Sequence, residues 1–301
     1  MTWYFWMLGS MVAGSLEEII DKVIIIKKAQ SIDGLIATFY RNLCFYFFTI
    51  ILGLTGLFGS MTFVINVHFL IIAIMWPLNS LSYDYFLRHV EISRFNAFFY
   101  LFPFIFLIID ATYFHVPFAA MKIIGILFLV LGAFLFSVDL KRGKSVITVR
   151  GFFWLLIKML SYIYLLFVFK LMSNSVNEVS FYFSIWTIVI FIYLIFLVST
   201  QRYRSLVQTA SINGFLYKTF LSKGFDTLSS IFYLEALSFT SLTLISAFAS
   251  FSPIVLLILL LGLTKFSRIN VAEDFSKIPL TLKIIGTLFL ILGGLFMFIS
   301  K

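Results

Sequence analysis

Cysteine is nearly absent from this chain: Cys44 stands alone in 301 residues, so no internal disulfide can form. Histidine is almost as rare, and His68, His89 and His115 show no metal-ligand spacing, which excludes the common imidazole and thiolate metal sites. HExxH, GxSxG and a glycine-rich phosphate loop are all missing, so the chain is expected not to be an enzyme and to need no cofactor. Charge is scarce too, at 12% of residues against 62% hydrophobic, and a soluble core cannot bury that much apolar surface. The connections between apolar runs are too short to hold an ATP-hydrolysing domain. The N-terminus MTWYFWML lacks a basic stretch and a cleavage site, and reads as the first span itself.

What the chain has in plenty is long apolar runs, and one of them occurs twice. Met121 to Val138 reads MKIIGILFLVLGAFLFSV and Leu282 to Ile299 reads LKIIGTLFLILGGLFMFI, with nine of eighteen positions identical, including one Lys and two Gly in register. Each copy is long enough to cross ~30 Å of hydrocarbon as a helix. The likeness extends backwards: Trp6 aligns with Trp154, Lys22 with Lys170, Tyr85 with Tyr233, and Pro103 with Pro253. An insertion at Thr264 to Pro279 then shifts the register. The chain therefore reads as a duplicated membrane unit, with a first repeat over 1–140, a basic linker over 141–151 and a second repeat over 152–301.

The apolar runs predict an all-α polytopic membrane protein with ten transmembrane helices. Their expected limits are Trp3 to Ile26, Gly34 to Leu57, Thr62 to Leu87, Phe95 to Tyr113 and Phe118 to Val138. In the second half they are Phe152 to Met172, Val179 to Val198, Thr209 to Leu237, Ser241 to Leu263 and Leu280 to Ser300. Lys and Arg concentrate in the connections after the odd-numbered spans, among them Arg94, Lys141, Arg142 and Lys144. By the positive-inside rule both termini are then extracytoplasmic, in a cell (inner) membrane. Five spans per repeat is an odd number, so the two repeats insert upside down relative to each other. The net charge of +9 sits in these flanking loops and does not form a nucleic-acid patch.

Ten spans in two five-helix repeats, with Tyr85, Ser93, Pro103, Gly125 and Gly132 in one and Tyr233, Ser241, Pro253, Gly286 and Gly293 in the other, resemble the drug/metabolite transporter superfamily, EamA-like branch. Gly14, Ser15, Lys22 and Arg41 are similar to that family's first-repeat pattern. The resemblance implies a carrier with amino acids and similar metabolites as cargo.

Polar groups inside a span are costly and mark pairing, wet cavities or function. Span one carries Glu17, Glu18 and Asp21; Glu17 and Asp21 share a face at i,i+4, and Glu18 can reach Lys22 at the same spacing. Glu17 or Asp21 is a candidate proton carrier or counter-ion to a cationic solute, against the plainer reading of a solvated span end. Arg41 in span two is expected chiefly to neutralise these acids. In span three Pro77 frees backbone groups beside Asn79, Ser82 and Tyr83, with Trp76 adjacent, which suggests a broken helix lining a substrate cavity or, equally, a packing kink. Span eight places Asp226, Ser229 and Tyr233 at a similar depth, and Lys223 can pair with Asp226. Asp110 and Glu235 lie near span ends where water can reach them. Lys158 is alone in span six and has no assigned role.

These readings predict a secondary active or facilitative transporter of a small organic solute working by alternating access. The partners expected are the solute, the lipid bilayer and protons as a candidate coupling ion, with no nucleic acid; monomer and homodimer both stay open. Amino acids follow from the resemblance, and the span-one acids keep amines in view. A flippase for lipids or lipid-linked sugars, and a non-transporting receptor or assembly factor, are the alternatives.

Overall fold

Prolines and caps decide where the helices begin. The computed structural model describes residues 3–21, 34–89, 101–117, 119–137, 149–200, 215–266 and 277–299. It is all-helical, with no strand among the described residues. In chain order the helices are α1 (Trp3–Ile20), α2 (Gly34–Thr55), α3 (Val67–His89), α4 (Phe102–Thr112), α5 (Ala120–Ser137) and α6 (Val149–Met172). They continue with α7 (Glu178–Ser199), α8 (Phe215–Phe239), α9 (Leu242–Ala249), α10 (Ser252–Phe266) and α11 (Lys277–Ile299). Asn177 caps α7 by accepting the Ser180 amide at 2.8 Å, and Ser241 caps α9 by accepting that of Leu244 at 3.3 Å.

Three expectations need correction. The span expected over Ser241 to Leu263 is two helices. Pro253 offers no N–H and its ring crowds the carbonyl four residues back, so α9 stops at Ala249 and α10 starts afresh at Ser252. Pro103 likewise sits at the start of α4, so each of the two prolines lies in the first turn of a helix. Span three starts at Val67 and not at Thr62, because the segment from Gly59 to Asn66 is not helical and is strapped along α7. There Ser180 Oγ accepts the Thr62 amide and Ser184 Oγ accepts the Val64 amide, both at 2.9 Å, while Asn177 Nδ2 donates to the Ser60 carbonyl at 2.9 Å. These serines satisfy backbone groups that a helix would have satisfied internally. Finally, α6 begins at Val149, so the last residues of the basic linker are helical. The expected starts of spans four and eight, Phe95 and Thr209, lie outside the described residues, as does the end of span one.

The helices pack in pairs drawn from both halves. α1 lies on α8, α3 on α6, α2 on both α7 and α8, α3 on α7, α4 on α9, and α5 on α11. The α5–α11 pair is antiparallel and very close. A Cβ on Gly132 would fall 2.7 Å from Gly286 O and Leu290 N, and one on Gly293 would fall 2.7 Å from Gly125 O and Leu129 N. Gly132 therefore faces Gly286 while Gly293 faces Gly125, which lets the backbones touch.

The outside of this bundle is apolar and much of its inside is polar. Phe5, Leu54, Leu57 and Ile65 are each about three-quarters exposed, whereas Asp21, Ser82, Asp110, Thr219 and Ser222 are fully buried. Three segments, Leu35–Thr55, Gly151–Met172 and Glu178–Ser199, are long and apolar enough to cross a membrane. An oily exterior around buried charge is compatible with a membrane-embedded protein. The apolar core itself centres on α7, whose Phe181, Ile185, Trp186 and Val189 are sealed against α2, α3 and α8.

Candidate functional site

Among the described residues, six charged side chains from four helices converge inside the bundle. Small residues permit the approach of α1 to α8: a Cβ on Gly14 would meet Ser229 Oγ at 3.0 Å, and Ser229 Oγ donates to the Ser10 carbonyl at 2.8 Å. That seam brings Glu17, and Asp21 just past the end of α1, against Ser222, Lys223 and Asp226 of α8. Arg41 Nη2 donates to Asp21 Oδ2 at 2.6 Å, and Ser222 Oγ donates to Asp21 Oδ1 at 2.5 Å. Lys223 Nζ donates to Glu17 Oε1 at 2.6 Å and to Asp226 Oδ2 at 2.7 Å, and stands 4.0 Å from Asp21 Oδ2. The Asp21 side chain is 1% exposed, while that of Asp226 keeps 33% of its surface accessible.

A second limb comes from α3 and α6. Lys158 Nζ donates to Asn79 Oδ1 at 2.9 Å, and Asn79 Nδ2 donates to Ser161 Oγ at 2.5 Å. The Tyr83 ring joins the two limbs, because Lys158 Nζ lies 4.7 Å and Arg41 Cζ 4.9 Å from its centroid. Three carboxylates thus stand with three cations in a shared, largely desolvated volume. Each contact is worth more there than at a surface, since the low dielectric strengthens attraction and makes an unmatched charge expensive.

The structure sorts the expected site residues. Glu17, Asp21, Arg41 and Asp226 belong to the cluster, and Asn79 and Tyr83 to its second limb. Arg41 neutralises Asp21 and Lys223 pairs with Asp226, both as expected. Ser82 is fully buried and returns its hydroxyl to Leu78 O of its own helix at 2.7 Å. Ser229 is engaged with Ser10, and Trp76 packs edge-on against Trp186 with centroids 4.9 Å apart. Tyr233 is half-buried beside Tyr162 and Tyr182. Lys22, the expected partner of Glu18, lies outside the described residues, as do the side chains of Asp84 and Arg88. Helix α3 runs unbroken through Pro77, so the proline does not open a cavity by breaking it.

Asp110 corrects another expectation: it is fully buried and not solvated. Its Oδ2 accepts from the Thr243 amide at 2.7 Å and from Thr243 Oγ1 at 2.6 Å, so a carboxylate on α4 caps the N-terminus of α9. Near it, Lys170 Nζ donates to the Leu237 carbonyl at 3.0 Å. Sequence reasoning also left Lys158, Ser161 and Ser222 without roles. A lone lysine in an apolar run is a signal, but its partner Asn79 is 79 residues away, and no periodicity links them.

No protein-family model matches the chain, and no curated protein matches it. A solved crystal structure, described only as that of a protein, superposes with a TM-score of 0.69 over 98% of this chain and 96% of that one, at 10% sequence identity. Likeness at that identity establishes a shared fold and nothing of the chemistry.

Proposed function

We propose that the chain is a membrane carrier, with ten spans in two inverted five-helix repeats, that moves a small organic solute by alternating access. The observation that carries this reading is the charge cluster itself: α1 and α2 of the first half and α6 and α8 of the second supply its charges, and α3 adds Asn79 and Tyr83. Buried charge at the junction of two halves costs stability, and moving a polar solute through an oily bundle is a use that accounts for keeping it.

Other features support the architecture. Exchanging the two halves maps the α1–α8 contact onto α6–α3, and α2–α8 onto α7–α3. The reciprocal glycines of α5 and α11, two copies of one sequence packed antiparallel, are what a two-fold axis in the membrane plane produces. The sequence resemblance to EamA-like transporters points to amino acids and similar metabolites as cargo in the cytoplasmic membrane, the span-one acids keep amines in view, and the loop charges favour both termini outside. Glu17 and Asp21 are the candidates for proton coupling.

The test is uptake of labelled amino acids and amines into proteoliposomes under imposed pH gradients. Gradient-dependent accumulation of at least one solute is expected; a panel that never exceeds protein-free vesicles would refute the carrier reading.

A further inference from the structure

The charges of the cluster balance in number but not in contact. Lys223 draws on both Glu17 and Asp226, and Arg41 on Asp21, so two carboxylates share one cation and one cation is left over. Of the two acids on Lys223, Asp226 keeps the more accessible side chain, at 33% against 11% for Glu17. The cation left over is Lys158, which contacts no carboxylate among the described residues. Its ammonium has three donors; Asn79 Oδ1 takes one, and the Tyr83 face offers attraction but no acceptor lone pair. Asp226 attracts Lys158 through space without reaching it.

We infer that Lys158 receives the anionic end of an amphoteric solute whose cationic end rests on Asp226, an inference that rests on the transport reading above. Charge balance selects this class. A solute with opposite charges at its two ends completes the contacts of Lys158 and Asp226 together and leaves the net charge of a desolvated site unchanged. A simple amine answers Asp226 alone and leaves Lys158 open. A simple carboxylic acid does the reverse. Asn79 is then a positioning residue: bonded to both Lys158 and Ser161, it holds the ammonium at a fixed place on α3 and α6. The half-buried rings of Tyr83, Tyr162 and Tyr233 supply apolar walls suited to the rest of such a molecule.

The experiment uses the purified full chain and a panel of L-amino acids, each beside the amine that lacks its carboxylate. Ligand-induced thermal stabilisation reports binding, and vesicle uptake of the same compounds reports transport. At least one amino acid is expected to stabilise the wild-type protein with an apparent affinity tenfold or more above that of its amine. Lys158→Met should abolish that preference, with the amine bound as before. Lys158→Arg should retain it in part, which guards against a folding defect in the methionine variant. Asp226→Asn should weaken the amino acid and the amine alike. If amines bind as well as amino acids, or Lys158→Met keeps the preference, the inference is overturned while uptake of the same solutes leaves the carrier reading standing. If no compound stabilises the protein and none is taken up, both fall together.

Discussion

Adding one methyl group to Gly132 or Gly293 tests the close packing of α5 on α11. In either case the new Cβ lies 2.7 Å from two backbone atoms of the partner helix, and backbone cannot swing aside as a flexible side chain can. Reaching ordinary van der Waals distance requires the helices to part by about 0.7 Å, a gap that forfeits a quarter to a half of each affected contact. On the membrane-carrier reading proposed above, no hydrophobic driving force between the helices replaces that loss, because packing is itself the attraction. Overpacking of this kind costs about 1–3 kcal/mol. For a chain of this size that is a fall in Tm of about 2–10 °C. Gly132→Ala and Gly293→Ala should cost similar amounts, since their contacts are reciprocal. The double variant should cost little more than either, because one separation relieves both clashes. Gly262→Ala is the control: a Cβ there meets nothing within 4 Å, so only the gain in helix propensity is expected. The buried thiol of Cys44 supplies the assay, as a thiol-reactive dye lights up on unfolding. If Gly132→Ala melts with Gly262→Ala, or the two glycine effects add, the packing argument is wrong.

Removing one member of the best-buried ion pair should be worse than removing both. Arg41→Met leaves Asp21 with Ser222 and a lysine at 4.0 Å, and should lose about 3 kcal/mol, while Arg41→Met with Asp21→Asn should recover most of it in the same dye assay. Asn177→Ala removes both the cap of α7 and the bond to Ser60, so a loss of about 1 kcal/mol is expected. Hydrogen exchange should accelerate at the strap amides of Thr62 and Val64; unchanged exchange there would show that the serines alone hold the strap.

Local pattern made much of the architecture legible. The apolar runs marked the helices because chain length per turn and side-chain chemistry are local properties, and the structure begins α2 at Gly34 and ends α6 at Met172, where the sequence placed them. The repeated Lys-Ile-Ile-Gly stretch marked two helices as alike without saying that they meet, and Glu17, Asp21, Arg41 and Asp226 stood out as charges in oily surroundings. The strap over Gly59 to Asn66 was not legible, because Phe63, Val64 and Ile65 read as part of a span and the amides of Thr62 and Val64 are satisfied by serines more than a hundred positions away. Nor was the burial of Asp110, whose position near a helix end reads as solvated until α9 is seen to rest its N-terminus on it.

The amino-acid order by itself determined that this protein would be helical and rich in apolar surface, since hydrophobic run length and proline position act on neighbouring residues. Only the tertiary structure decided which charges meet. Lys223 reaches Glu17 and Lys158 reaches Asn79 across distances along the chain that carry no periodic signal; the first pairing is set by how closely glycine and serine let α1 approach α8, the second by the packing of α3 on α6.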